Sequence, residues 1–497
     1  MTSMIERHAA AAKYLPSAKL IIGGRDITTT SAGDVPHLNP ATGKEQGRVA
    51  LGGREEVDAA VRAAREASPA WRALTPSRRR DLIQLLADSV LADGEALSMI
   101  AALEIGATRH AVLHSQIPVA HEWMRYYAGW ADKLDGRYSS GADGGPFDVV
   151  LPEPHGVVAV ILPWNGPLNS LAMKAAPALA AGNTLIIKPP ESAPYLAIRF
   201  GELAREVGFP DGVVNVVIGG PAAGDALVRH PGVDKISFTG SPMTGRQIAA
   251  AASETLTPMV FELGGKSANI VFPDFDLERA AEQAATFPFV NAGQICISPS
   301  RLLVHAAAYD EVLERVGALA RGHRVGDPLD ETTFMGPMFS RAARDRVIDH
   351  VERAAERPGV SVSAGGHKGE AELDGGWFVH PTIVADPDPG SDLSQTELFG
   401  PVVAVHRFED EEDAIRIANG TEYGLAAYIN TQDIDRALRM ARRVRAGAVY
   451  INGSFPTANP NLPFGGVGAS GYGREGGAHG VEEFVRPKSI SISVREA

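Results

Sequence analysis

VVAVILPWNGPLNSLAMKAAPALAAGNTLIIKPPE, residues 157–191, holds the pattern from which the fold is read. It begins with the β-branched run 157–161 and ends with a second such run, 184–187, and the stretch near 167–181 between them has a helical pattern. The alternation continues outward. A helix near 194–207 leads to the apolar run 213–217, a helix near 221–229 leads to 235–238, and another helix spans 241–253. Strands alternating with helices at this spacing form a parallel sheet covered on both faces. Ligands of such sheets bind beyond the carboxyl ends of the strands, so the strand-to-loop junctions are where function is sought.

Upstream, residues 55–135 read as helices: Val57, Ala60, Val61 and Ala64 have helical spacing, as do Leu82, Leu85 and Leu86. The turn-rich GRYSSGADGG (136–145) follows, then a strand on which Phe147, Val149 and Leu151 alternate. A second alternating block runs from about 267 to 460, with strand candidates at 268–272, 302–304, 402–405 and 448–451. The tail SISISV (489–494) has strict period two, with Ile490, Ile492 and Val494 on one face. A half-apolar terminal strand invites aggregation unless something pairs with it, so this strand and the one at 147–151 are expected to be covered by another subunit.

A chain of 497 residues is expected to form two or three domains. Its net charge of −13 speaks against nucleic acid or an anionic membrane as partner. The basic runs at 78–80 and 439–445 fall in helical segments and read as solvated helix faces. The first residues carry Glu6 and Arg7 without the apolar core of a secretory signal, and no uncharged apolar run approaches the ~18 residues that span a bilayer. The single cysteine excludes an intramolecular disulfide and fits a reducing cytoplasm.

Four junctions carry chemistry. Asn165 ends the first strand, where its amide would either donate to a ligand oxygen or cap the next helix. Lys188 and Glu191 end the second, placed to meet ribose hydroxyls or to form a surface ion pair. The segment FTGSPMTG (238–245) combines glycines with a helix start, a place where backbone N–H groups and the helix dipole favour phosphate. Glu262 ends an apolar strand beside two glycines; burial would make it a base near neutrality, whereas backbone N–H groups would make it a capped structural carboxylate. Cys296, in NAGQICISPS (291–300), sits where a helical run breaks into a loop. The literal GVGASG at 466–471 lacks the strand and helix that a dinucleotide fingerprint needs.

Together these clusters resemble the NAD(P)-dependent aldehyde dehydrogenases. The matching motifs, in family order, are PWNGP (163–167), KPPE (188–191), FTGSPMTG (238–245), ELGGKS (262–267), GQIC (293–296), ELFGPV (397–402) and PFGG (463–466), and the resemblance runs from about residue 20 to the tail. It implies an α/β, aldehyde-dehydrogenase-like fold: a Rossmann-like cofactor domain (1–135 and 153–263), an α/β catalytic domain (264–463) and a small β oligomerisation arm (136–152 and 481–497), in a homodimer or homotetramer. It implies Cys296 as nucleophile, Glu262 as general base and Asn165 as the side-chain donor of the oxyanion hole. Lys188 and Glu191 align with the residues holding the adenosine ribose; Gly240, Ser241 and Gly245 with those near the pyrophosphate; Glu397 and Phe399 with those positioning the nicotinamide. Ile161, Trp164, Gly219, Gly224, Phe238 and Leu263 complete the implied cofactor contacts. No metal is implied.

The implied reaction is oxidation of an aldehyde to an acid through a Cys296 thiohemiacetal and thioester, for which an ordinary thiol is a few per cent thiolate at neutral pH. Glu262 favours hydrolysis over acyl transfer to coenzyme A, since relatives that use coenzyme A tend to lack this base. Glu191 favours NAD, because its carboxylate repels a 2′-phosphate; Lys188 leaves NADP open. The implied substrate pocket is Gly166, Ser170, Met173, Ile295, Ile297 and Phe455. Gly166 stands where many relatives carry an aromatic, so a medium-sized apolar or aromatic aldehyde is expected. The competing readings are a NADP-preferring semialdehyde dehydrogenase, a binding protein that kept the fold, and a cysteine hydrolase or acyltransferase without redox chemistry. The last needs a histidine beside the thiol, and the nearest in sequence is His305.

Overall fold

The computed structural model of the chain describes residues 3–140, 147–453 and 459–493. Phe455 and Val494, named above, lie outside them. Among the described residues, two large sheets and two small ones organise the fold.

The first sheet has five parallel strands at its centre, in the order Met259–Glu262, Lys235–Thr239, Val157–Ile161, Thr184–Lys188, Val214–Val216. Every residue of Val157–Ile161 and Thr184–Lys188 is buried, which is why both read as unbroken apolar runs rather than as alternating ones. The connecting helices Pro167–Ala180, Tyr195–Glu206, Pro221–Val228 and Pro242–Ala252 lie where the periodicity places them. Three of the four open on proline, which costs a helix nothing at its first position because that N–H has no partner there. The strand order reverses beside Val157–Ile161, so that strand and its neighbours place Asn165, Lys188, Gly240 and Glu262 along one end of the sheet.

The edges of this sheet are antiparallel and were not legible. Leu20–Ile22 and Arg25–Ile27 close one side, and Gly471–Tyr472 pairs with Phe261 and Glu262 on the other. Strands of two or three residues are too short to show a period. The hairpin Asp34–Leu38/Glu45–Ala50 was likewise unforeseen, because its burial does not alternate cleanly. The GVGASG stretch forms a tight turn, Gly468–Ser470, leading into that edge strand.

The second sheet orders Ser361–Ala364, Thr382–Ala385, Val402–Phe408, Arg301–His305, Ala268–Val271, Ala426–Asn430 and Ala448–Ile451, parallel except for the first. The apolar core of the first sheet continues into Phe287, Ile297 and Tyr428 of this second unit, and Ile295 and Cys296 pack against it. The cysteine loop is therefore seated where the two units meet.

The three-stranded small sheet pairs Val485–Ile492 with Phe147–Pro154 along its full length, from Val485 opposite Pro154 to Ile492 opposite Phe147, and Arg137–Ser140 joins the other side. The terminal strand begins at Val485, earlier than its period-two stretch; Pro487 is tolerated because the strand is an edge. Tyr138, Phe147, Leu151 and Ile492 are exposed on this arm.

The N-terminal helix Met4–Ala11 opens with a capping box between Ser3 and Glu6. It is anchored by His8, buried between Asp327 (Nε2 to Oδ1, 2.8 Å) and Asn39 (2.9 Å), and by Arg7, which donates twice to Asp327. Among the described residues, no helix is long and apolar enough to cross a membrane.

Candidate active site

The chain before the cysteine is bent by three consecutive left-handed residues, Asn291 (φ 53°), Ala292 (φ 54°) and Gly293 (φ 70°). Asn tolerates this conformation better than most residues, but Ala rarely adopts it, so surrounding contacts must hold the bend. Gln294 does so. Its Nε2 donates to the Asn291 carbonyl at 2.9 Å, and its Oε1 accepts from the Phe339 N–H at 2.8 Å. Its own carbonyl accepts from Asn165 Nδ2 at 2.9 Å, while Asn291 Nδ2 donates to the Asn165 carbonyl at 3.0 Å. Asn165 is thus bonded to the cysteine loop through both backbone and side chain. An amide nitrogen carries two N–H groups, so fixing one against Gln294 orients the other. Asn165 does not cap the following helix; Gly166 occupies that place.

Cys296 is half-buried. Its carbonyl lies against Gly265, where a Cβ would not fit, and Gly264 is pressed just as closely on the Glu397 carboxylate. The two glycines of ELGGKS therefore let Glu397 and the cysteine loop close on one point. Glu397 Oε1 accepts from the Gly265 N–H at 3.0 Å, and burial raises its pKa to about 7. The thiol is pushed up to about 12, by burial first and then by the charges of Glu397 and Glu262.

Glu262 ends the strand Met259–Glu262 and is buried, with neither carboxylate oxygen hydrogen-bonded among the described residues. The capped-carboxylate alternative therefore does not hold. Burial, then repulsion from Glu475, raises its pKa well above the usual carboxylate range, against the opposing charge of Lys174. A Cβ at Gly465 would lie 2.8 Å from Glu262 Oε1, so this bare glycine leaves room beside the base. Lys174 is itself buried, bonded to Glu475 and 3.2 Å from Ser237 Oγ. Sequence reasoning missed Gln294, Lys174 and Glu475. Lys174 did carry a signal, as a charge inside the otherwise apolar and small stretch 171–180.

On the opposite side, Lys188 and Glu191 lie over the bare start of the helix Pro221–Val228. A Cβ at Gly224 would touch Lys188 Cε at 3.5 Å, and one at Gly220 would touch Glu191 Oε1 at 3.6 Å. Gly219 is closed in by Ala223 and the Gly52 carbonyl. Lys188 is buried, its ammonium 3.1 Å from the Pro189 carbonyl, and burial lowers its pKa to about 8. Ser241 caps the helix Pro242–Ala252, accepting from the Thr244 N–H at 3.2 Å. Gly240 packs against the Phe238 ring and Gly245 against Leu263, 3.0 Å from a notional Cβ. Ile161 is buried at its strand end. Trp164 stacks on Phe339 (centroids 4.1 Å apart, planes at 9°) and meets Phe399 edge-on at 5.5 Å. Phe399 is held at φ 54°. Helix starts, bare glycines and a Lys/Glu pair along one end of a parallel sheet are the kinds of group that hold a dinucleotide.

Of the implied substrate residues, Gly166 and Ile295 are half-buried and Met173 is nearly enclosed. A Cβ on Gly166 would meet nothing within 4 Å. Ile297 departs from expectation. It is 3 % exposed and packs in the core, because the Ser298 N–H bonds back to the Ile295 carbonyl and turns the chain inward. His305 is engaged elsewhere: its Nδ1 accepts from the Ala307 N–H, and its ring meets Phe408 edge-on.

The chain matches the model of the aldehyde dehydrogenase family over residues 27–490, and it belongs to that family. It is 38 % identical to an aldehyde dehydrogenase of Aspergillus niger, over 98 % of this chain and 97 % of the relative. It is 40 % identical to a phenylacetaldehyde dehydrogenase of Pseudomonas fluorescens, with 96 % of each chain covered. Among solved structures, PnpE in complex with nicotinamide adenine dinucleotide superposes with a TM-score of 0.94 at 42 % identity, covering 97 % of this chain and 99 % of that one.

Proposed function

We propose that the protein oxidises a medium-sized apolar or aromatic aldehyde to its carboxylic acid with NAD, using Cys296 as nucleophile, Asn165 as oxyanion donor and Glu262 as base. The observation that carries this reading is the buried Glu262 carboxylate, which has no hydrogen-bond partner among the described residues and whose charge acts on the Cys296 thiol. A carboxylate raised by burial is a usable base near neutrality. The thiol gives its proton to the Glu262 carboxylate, which passes it to solvent, and its sulfur attacks the aldehyde carbon, giving a thiohemiacetal. The free N–H of the Asn165 amide, aimed by Gln294, meets the developing oxyanion. Nicotinamide, held by Glu397 and Phe399, would supply the hydride acceptor for oxidation of the sulfur-bound carbon to the thioester level. Glu262 then takes a proton from water, which releases the acid and restores the thiol. The buried Lys174–Glu475 pair sets the charge beside this base.

Lys188 and Glu191 would hold the adenosine ribose, and Glu191 disfavours a 2′-phosphate. The cofactor domain, catalytic domain and arm would divide as 1–135 with 153–263, 264–463, and 136–152 with 481–497. The exposed apolar residues of the arm support a homodimer or homotetramer, and the lone cysteine supports a cytoplasmic setting. An aldehyde panel run in parallel with NAD and NADP tests the function: aldehyde-dependent NADH formation with NAD preferred is expected. Thioester or ester cleavage without any reduced cofactor would favour a plain cysteine hydrolase.

A further inference from the structure

Tyr428 lies on the strand Ala426–Asn430 and is buried, its ring stacked on Tyr450 (centroids 5.5 Å apart, planes at 26°) and in edge-to-face contact with Phe287 at 5.9 Å. A phenylalanine would fill this place in the core as well as a tyrosine does. The hydroxyl is the difference, and a buried hydroxyl costs stability unless it is bonded. Its O–H donates to the Ile297 carbonyl at 3.0 Å. That carbonyl belongs to the residue directly after the cysteine.

Ile297 is held at three points. Its side chain packs in the core, its carbonyl takes the Tyr428 O–H, and its N–H faces the Cys296 sulfur. Burial and the charges of Glu397 and Glu262 push the thiol up; the N–H groups of Ile297 and of Cys296 itself act the other way, by hydrogen-bonding to the sulfur. With side chain and carbonyl both fixed, Ile297 cannot swing its N–H off the sulfur. Gln294 braces the loop before the cysteine, and Tyr428 braces it after.

We propose that Tyr428 is a positioning residue for the nucleophile: by tying the Ile297 carbonyl, it keeps the Ile297 N–H on the Cys296 sulfur, where that N–H supports the thiolate. This rests on the reading of Cys296 as the nucleophile of an aldehyde dehydrogenase. Sulfur attacks as the anion, so a donor held on the sulfur raises the share of the reactive form. Tyr428 acts through one backbone residue and not on the substrate.

The test is the rate at which iodoacetamide inactivates the cofactor-free protein at a series of pH values, for the wild type, Tyr428→Phe and Tyr428→Met. The chain has one cysteine, so alkylation reads that group alone. Both variants keep the core filled and lack the O–H. Each is expected to react about tenfold more slowly than the wild type at every pH, because losing a hydrogen bond to a charged group shifts an equilibrium by about that much. The kcat/KM for an aldehyde with NAD should fall by a similar factor. A tyrosine that only filled the core would give the opposite sign on removal, since a loosened core admits the reagent faster. Rates equal to or above the wild type in a normally melting variant overturn the proposal, and Tyr428→Met decides if Tyr428→Phe does not fold. If the wild type reduces NAD with no aldehyde, the aldehyde dehydrogenase reading fails, while the alkylation comparison still decides the role of Tyr428.

Discussion

The side-chain amide of Asn165 donates to the carbonyl of Gln294 at 2.9 Å, across 129 residues of sequence. Gln294 in turn bonds Asn291 and Phe339, and Phe339 stacks on Trp164 beside Asn165. One buried glutamine therefore links the strained cysteine loop to Asn165. Gln294→Glu replaces its donor to the Asn291 carbonyl with an acceptor. We expect kcat to fall about 10²-fold, the cost of misplacing a reacting group by about an ångström, with the aldehyde KM changed far less. Asn165→Ala should cost ~10²–10³, and the double variant less than the product, since both act on one donor. Steady-state kinetics with matched melting curves check this.

The raised thiol pKa sets the pH dependence of alkylation. Only the thiolate reacts, and below a pKa of about 12 its fraction grows tenfold for each pH unit. Inactivation of the cofactor-free protein by iodoacetamide should therefore be slow at pH 7.5 and climb without levelling to pH 10. A plateau below pH 9 would show that the thiol is not held high.

Glu262 is a stability liability in the folded state. Its folded pKa lies above the ordinary 4.5, so the folded form binds a proton that the unfolded form gives up. The stability of the protonated form is present in full below pH 4.5 and is lost as pH rises through the folded value. Glu262→Gln removes that loss. Its melting temperature should exceed the wild type at pH 8, and the gain should shrink as pH falls towards 5. Scanning calorimetry at three pH values measures it.

The parallel core of the fold was legible because strands buried on both faces write unbroken runs such as 157–161 and 184–187. Edge strands Leu20–Ile22 and Gly471–Tyr472 were not, since their pairing is decided by distant chain. Within the site, residues announced by glycines and prolines stood out. Glu475 did not, because its role exists only through a lysine 301 residues away. Nor did the thiol's environment, which depends on Glu397, packed against Gly264, and on Glu262. Ile297 was misplaced because a local turn cannot be told from an extended stretch in three residues.

Gly166 leaves open space where a side chain would project, and its φ of −161° suits any residue. Gly166→Phe should fold normally and narrow the opening. We expect kcat/KM for an aromatic aldehyde to fall tenfold or more, about the energy of one or two methylenes displaced, with acetaldehyde affected much less. Equal losses on both substrates would place Gly166 away from the opening.

The most direct measurement is of the covalent intermediate. Glu262→Gln, mixed with an aldehyde and NAD and quenched in acid, should release about one NADH per subunit in a burst, then stall. Its Cys296 peptide should carry the mass of the acyl group, because sulfur is acylated but water is no longer activated. Turnover at the wild-type rate, or an acyl group on any other peptide, would contradict a thioester at Cys296 that Glu262 hydrolyses.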